Sequence, residues 1–380
     1  MGQVKITERE LNRATLGRQL LLERAPVGVA EGVRRVVAVQ AQHGGSAYLA
    51  LWNRLVGFDP AEADGVFARR EVVKATLMRI TLHAVHAEDY RVFREAMQPT
   101  LYAARLGSRT GLPPAEVREL VPGLLEFAAE PRSGAEIRRW LEERVGEAAR
   151  EGAWWGLRGY APLHHHPTGG PWSFGERPSY VAAGGGPVAG GKEGVPGALE
   201  RLVLRCLAAF GPASVADVAQ FAMVRRAPVR RVLRELADGA VERLEGPGGV
   251  ELFDVPGAVR PDGDAPAPPR LLGMWDSVLL AYADRSRVIP AEYRRVVIRA
   301  NGDVLPTLLV DGRVAGVWRP VEGGIEAAAF HELPAAVWEA LAEEARSLHA
   351  LLAARDPWLY RRYAHWWAKL PAGRARLLPG

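Results

Sequence analysis

Cysteine is nearly absent: Cys206 stands alone in 380 residues. One thiol excludes an internal disulfide framework and any zinc cluster that needs two or more thiolates. Its setting, "RLVLRCLAAF", reads as helix core. Lysine is almost as scarce, occurring only at positions 5, 74, 192 and 369, so the basic charge is carried by arginine. No apolar run approaches the roughly 18 uncharged residues of a membrane span. The first 24 residues carry charges throughout, where a secretory signal would need an apolar stretch. A cytoplasmic protein with no membrane partner is expected. There is no G-x-S-x-G nucleophile elbow. "GPVAGGK", residues 186 to 192, opens like a phosphate-binding loop, but Glu193 stands where Ser or Thr must ligate magnesium, and no apolar strand precedes it. No nucleotide cofactor is expected. His164, His165 and His166 are adjacent, and neighbours on an extended strand point to opposite faces, so they cannot share one ion well. His83 and His86 lack the glutamate of a metalloprotease pattern, and no metal is expected.

What is present is a 48% hydrophobic chain long enough for two or three packed units. Its formal charge of +5 and pI near 9.5 say little by themselves, because a nucleic-acid footprint is a clustered face and not a total. The Ala, Arg, Gly and Val bias follows equally from a GC-rich genome.

Residues 1–108 read as helices followed by a short strand pair. Thr7 and Glu10 form a capping box ahead of "LNRATLGRQLLLER", and a helix near residues 47–56 is plausible. Asp59 and Pro60 open another helix, and "KATLMRITLHAVHA" alternates enough to be a hairpin or wing. Residues 109–182 repeat that order, by pattern and not by identity, with a Gly/Pro/aromatic wing. A flexible linker is expected over 183–197. Residues 198–258 form the clearest unit: a helix ending at Gly211, a second capped by Ser214, a third over 228–238, and a hairpin with "GPGG" at its tip. A Pro-rich linker, 259–270, leads to a lobe at 271–380 with a small antiparallel sheet and a helical segment from about Pro334. The fold class is mainly α with small β wings: three tandem winged-helix units and a C-terminal α+β lobe.

Residues 218–234 hold no acid and five arginines, Arg225, Arg226, Arg230, Arg231 and Arg234. On a recognition helix they meet phosphates; on an ordinary amphipathic helix they are a solvated face. The C-terminal stretch interleaves Trp358, Tyr360, Tyr363, Trp366 and Trp367 with cations, which suits stacking on distorted nucleic acid or docking against the end lobe. "VVAVQAQHGG" places Gln40 and Gln42 where a core would want valine. Two residues apart, they share one side only of an extended segment, so they converge if the helix begun near Val27 stops by about residue 40, a stop for which Gly44 and Gly45 are well placed. Pattern alone allows capping or surface amides just as well.

"LNRATLGRQLLLER", "VAVQAQ", "LMRITLHAVHAEDY", "AYADRSRVIP" and "LPTLLVDGRVAGVWR" occur in the order found in AlkZ-type DNA glycosylases, and the chain resembles that family over essentially its whole length. The resemblance implies three winged helices in a C shape around double-stranded DNA, with a Gln, apolar, Gln motif at Gln40, Ala41 and Gln42; the Asp-ending form belongs to the YcaQ-like branch. It implies a cofactor-free monomer that hydrolyses the glycosidic bond of bulky N7-alkylguanine adducts or crosslinks made by a DNA-alkylating antibiotic. Such a base is already cationic while attached to the sugar, so its departure needs no protonation and fixed amides that orient water suffice. An amine nucleophile has only Lys74 nearby, so no lyase activity is expected. DNA contacts are expected from His43, Arg79, His83, Arg225, Arg226, Arg230, Arg231, Arg285 and Arg287. A non-catalytic winged-helix regulator and a drug-sequestering protein are the alternative readings.

Overall fold

The computed structural model describes residues 4–105, 112–186, 195–237, 239–370 and 374–380. The expected boundary at 108/109 and residues 187–192 of "GPVAGGK" lie outside them, as does much of the 183–197 linker. Among the described residues no helix is long and apolar enough to cross a membrane.

The fold is mixed α+β. β1 (Val4–Lys5) leads into α1 (Glu8–Arg18), where Thr7 accepts from the Glu10 backbone and the Glu10 carboxylate accepts from Thr7 N, the expected box. α2 (Val29–Val36), β2 (Val39–Gln40), α3 (Gly44–Trp52) and α4 (Pro60–Ala68) follow, α4 capped by Asp59. β3 (Val72–Thr76) and β4 (Leu82–His86) form the expected hairpin. α5 (Ala87–Arg105) is nineteen residues long and continues through Pro99. α6 (Pro114–Glu119), α7 (Val121–Phe127), β5 (Arg132–Ser133), α8 (Gly134–Val145) and α9 (Glu147–Tyr160) precede a second hairpin, β6 (Leu163–His166) and β7 (Ser179–Ala182).

α10 (Ala198–Phe210), α11 (Val215–Ala222) and α12 (Arg226–Leu236) lead to β8 (Glu242–Glu245) and β9 (Glu251–Asp254), joined through "GPGG". The end lobe carries β10 (Arg270–Leu272), α13 (Arg294–Val297), β11 (Thr307–Val310), β12 (Arg313–Val321), β13 (Gly324–Ala329), α14 (Ala335–Arg355) and β14 (Arg374–Pro379).

The hairpins are not independent wings. β2-β4-β3-β6-β7-β5 make one six-stranded sheet, closed between the first two hairpins by a single pair, Lys74 and His165. β1 pairs in parallel with β8, so the start of the chain completes the third hairpin. Nor does the 259–270 stretch hang free: Arg9, Arg13 and Arg18 of α1 donate to the carbonyls of Gly263, Ala265 and Val259. One core joins α3 to the end lobe, with Tyr48 and Leu51 packed in the same cluster as Leu271, Trp318 and Leu348. The floor under residues 40–44 is therefore set by residues more than 200 positions away.

Candidate active site

The helix before the glutamine motif stops early and without glycine. α2 ends at Val36, and Val37 takes φ 71°, a costly left-handed conformation for a β-branched residue, held by complete burial. The chain then extends, pairing Val39 with Ala84 and Gln40 with His83, and Ala41 N donates to Leu82 O at 2.8 Å. Gln40 thus lies on a strand and Gln42 in the bend that follows it, both outside any helix. Gly44 and Gly45 do not end that helix, as expected from the sequence, but begin the next one. A Cβ on Gly45 would meet Leu359 Cδ1 at 2.5 Å, and one on Gly44 would meet Trp172 Cβ at 3.0 Å, so the glycines let α3 seat against these side chains. His43 caps α3, its Nδ1 accepting from Gly45 N at 3.2 Å. Its proton therefore sits on Nε2.

The two amides occupy different environments. Gln42 is exposed on the wall of a 640 Å³ cleft, its Oε1 only 3.4 Å from Leu82 N. Gln40 is 3% exposed, and its Oε1 accepts from Arg79 Nη2 at 2.7 Å. Arg79 sits between β3 and β4 at φ 54° and also bonds His83 at 3.0 Å. Burial draws the Arg79 pKa down to about 10, aided by the charge of Arg285. It remains protonated at neutral pH.

The cleft lies where the first two hairpins join. Its wall holds His43, Lys74, Arg158, His165, Trp172 and Arg362. Lys74 is 5% exposed, its ammonium 4.4 Å from the Phe174 ring centre, and burial lowers its pKa to about 8. Asp356, at the rim, accepts from Trp172 Nε1 at 3.1 Å. The depth of Lys74 and the contribution of Trp172, Arg158 and Arg362 from distant segments escape a sequence reading, since only strand pairing gathers them.

Burial also depresses the histidines: His43 and His164 to about 4, His165 to about 3, and His83 well below its ordinary value. As pH falls below about 6.5, the unfolded chain takes up protons that these rings refuse in the folded state, so stability declines with acidification. The melting temperature is expected to be lower at pH 5 than at pH 7.5, and His165→Asn to narrow that gap. An unchanged gap in the variant contradicts this.

Of the other expected contacts, Arg225, Arg226, Arg230 and Arg231 are exposed on or beside α12, opposite its buried Val229, Val232, Leu233 and Leu236. Only Arg231 among these four has an ion pair among the described residues, 3.9 Å from Glu235. Arg285 is half-buried. One expectation is corrected. His83 is 0% exposed, so no direct contact with DNA is open to it. Arg287 is half-buried, donating to Pro212 O at 2.9 Å and lying 4.1 Å over Tyr282. The C-terminal aromatics mostly dock: Tyr360 OH bonds Ser46 at 2.8 Å and Trp366 Nε1 bonds Asp303 at 2.7 Å, while Trp358 stays 55% exposed.

Known proteins resemble this arrangement. An interstrand DNA cross-link repair glycosylase from Streptomyces sahachiroi is 26% identical over 339 residues, covering 84% of this chain and 89% of that protein. The solved structure of Streptomyces sahachiroi DNA glycosylase AlkZ shares the fold, with a TM-score of 0.76 at 22% identity over 91% of this chain and 96% of that one. The family profile described as DNA glycosylase AlkZ-like matches residues 33–351. This chain belongs to the AlkZ-like DNA glycosylase family.

Proposed function

We propose that the protein hydrolyses the N-glycosidic bond of bulky N7-alkylguanine adducts or interstrand crosslinks formed by a DNA-alkylating antibiotic, protecting the cytoplasmic DNA of the cell that makes the compound. The observation that carries the reading is the pair Gln40 and Gln42 outside any helix, one held by Arg79 and the other facing a cleft.

Neither amide can act as a general base at neutral pH. The chemistry is therefore confined to leaving groups that depart without help. An N7-alkylated guanine is one, because alkylation makes the base cationic and weakens the bond to the sugar. What remains is to orient a water and to stabilise positive charge at C1′, and a carbonyl oxygen suits both tasks. Normal bases, whose departure needs protonation, are spared. With a pKa of about 8, Lys74 is mostly ammonium at neutral pH, which favours water over an amine as nucleophile and an abasic site as the product. A 640 Å³ cleft leaves room for a bulky adduct approached in place, where a crosslink forbids flipping the nucleotide out.

The exposed arginines of α12 supply the phosphate contacts. Replacing Arg226 and Arg230 together with glutamine is expected to reduce the slope of log affinity against log salt by about 2, one released counterion per lost contact. An unchanged slope makes these residues a merely solvated face. The activity is tested by incubating the protein with duplex DNA carrying an N7-alkylguanine and following release of the intact adduct. Binding without release from any alkylated duplex would point instead to a regulator, and tight uptake of the free alkylating compound without DNA to a sequestering protein.

A further inference from the structure

Gln40, the first residue of the motif, does not present a free carbonyl. Arg79 Nη2 lies 2.7 Å from Gln40 Oε1 and 3.0 Å from His83 Nε2. A guanidinium only donates, so both partners must accept, and three assignments follow. The Gln40 atom facing Arg79 is its oxygen. His83 Nε2 carries no proton. The imidazole proton sits on Nδ1, where it donates to Thr81 O at 3.2 Å. Both hydrogens of Arg79 Nη2 are consumed, one on each neighbour. The other amide atom of Gln40, Nε2, makes no hydrogen bond to a described residue, although the side chain is only 3% exposed, so its hydrogens are the ones left for a ligand.

The arrangement is costly in a way that packing does not explain. Arg79 and Ile80 take φ values of 54° and 58°, two consecutive left-handed residues without glycine. The Arg79 charge is desolvated, feels Arg285 as a like charge, and meets no carboxylate among the described residues. Its remaining contacts are Phe221 O at 3.5 Å and the Phe221 ring at 6.0 Å. A strained, half-buried cation without a carboxylate partner among the described residues, whose best hydrogen bond goes to the first residue of the motif, marks a device for holding that residue.

We infer that Arg79 is a positioning residue, oriented by His83, that pins the carbonyl of Gln40 so that Gln40 meets the substrate through its amide hydrogens while Gln42, whose Oε1 accepts only a long bond from Leu82 N, presents its carbonyl. This rests on the hydrolase reading above. It gives the two glutamines opposite polarity. A water between them receives a hydrogen bond from Gln40 Nε2 and donates one to Gln42 Oε1, which leaves its second lone pair for attack on C1′; the C1′–N9 electron pair goes to the cationic purine, which departs neutral, and the surplus proton of the water passes to solvent. Two free carbonyls would bind only the hydrogens of that water and leave its oxygen undirected. Arg79 and His83 are thus assigned to the catalytic amide and not to phosphate.

The test separates positioning from DNA binding and from stability. Single-turnover release of N7-alkylguanine from duplex DNA is measured for the parent, Arg79→Ala, Arg79→Lys, Gln40→Ala and the double variant Arg79→Ala/Gln40→Ala. DNA affinity and melting temperature are measured alongside. Expected are a release rate at least tenfold lower in Arg79→Ala with DNA Kd within twofold of the parent, and partial recovery in Arg79→Lys. The double variant should be no slower than Gln40→Ala, as members of one hydrogen-bonded unit behave. Low-millimolar guanidinium should raise the Arg79→Ala rate and leave Gln40→Ala unchanged. A parental rate in Arg79→Ala, a weaker Kd with an unchanged release rate, or losses that multiply in the double variant overturn the assignment. A parent inactive on every N7-alkylated duplex overturns the hydrolase reading and this role with it. An active parent indifferent to Arg79 overturns this role alone.

Discussion

Replacing Gln42 with alanine should slow release of an N7-alkylguanine by about 100- to 1,000-fold, the loss typical when one preorganised polar group is removed from a transition state. The side chain is exposed on the cleft wall, and its one internal bond, to Leu82 N at 3.4 Å, is long. Its removal therefore leaves the fold intact, and both melting temperature and DNA affinity should match the parent. Gln42→Glu is the sharper comparison. A carboxylate retains an acceptor and adds the capacity to take a proton from water, so it should keep more activity than alanine. The neighbouring ammonium of Lys74 in the cleft wall favours its ionised form. If Gln42→Ala released base as fast as the parent, the free carbonyl would not be at the reacting centre.

The second large effect concerns stability. Arg54 and Asp276 form a bidentate pair with both bonds at 2.8 Å, each side chain almost wholly buried. The pair ties the turn after α3 to the loop after β10, which holds the floor beneath the motif. Asp276→Ala strands the guanidinium without a counter-ion and deprives Val278 N of its acceptor at 3.1 Å. Breaking one side of such a pair costs about 3–5 kcal/mol. That is a large share of the roughly 5–15 kcal/mol that holds a domain folded. Chemical denaturation monitored by circular dichroism should show the loss. Glu31→Ala, which removes the partner of exposed Arg35, should change stability by less than about 0.5 kcal/mol. Equal small effects from the two substitutions would mean that the buried pair is not holding the lobes together.

Local chemistry made parts of this fold readable in the sequence. Thr7 with Glu10, Asp59 with Pro60, and Ser214 with Asp217 are caps whose partners lie within three residues, and each starts a helix where expected. The turn at Asp311 and Gly312 likewise joins β11 to β12 through backbone that favours a tight hairpin. α5 was not foreseen, because Pro99 interrupts its pattern, nor was β14, whose six residues pair only with a strand some 50 positions earlier. The merging of hairpins through Lys74 and His165 is a single long-range pairing that no local signal announces.

The site divides in the same way. Gln40 and Gln42 stand out as amides in an apolar run, and the helix before them stops, as the pattern requires, although Gln42 lies in a bend and not on the strand. What stops the helix is Val37 in a conformation that sequence propensity disfavours, so the stop was credited to the wrong residues. The contact from Arg79 to Gln40 spans 39 positions and depends on two left-handed residues in a hairpin. No periodicity carries that information.

Hydrolysis of a glycosidic bond in alkylated DNA by this cleft, with water as the nucleophile, is tested by mass spectrometry of a duplex containing one N7-alkylguanine after a single turnover in water enriched with oxygen-18. Expected are release of the intact alkylguanine and an unbroken strand bearing an abasic site, with one heavy oxygen at C1′ when it is trapped at once by reduction. Alkylated DNA recovered unchanged, or a strand cut with the sugar bound to Lys74 after borohydride, would contradict it.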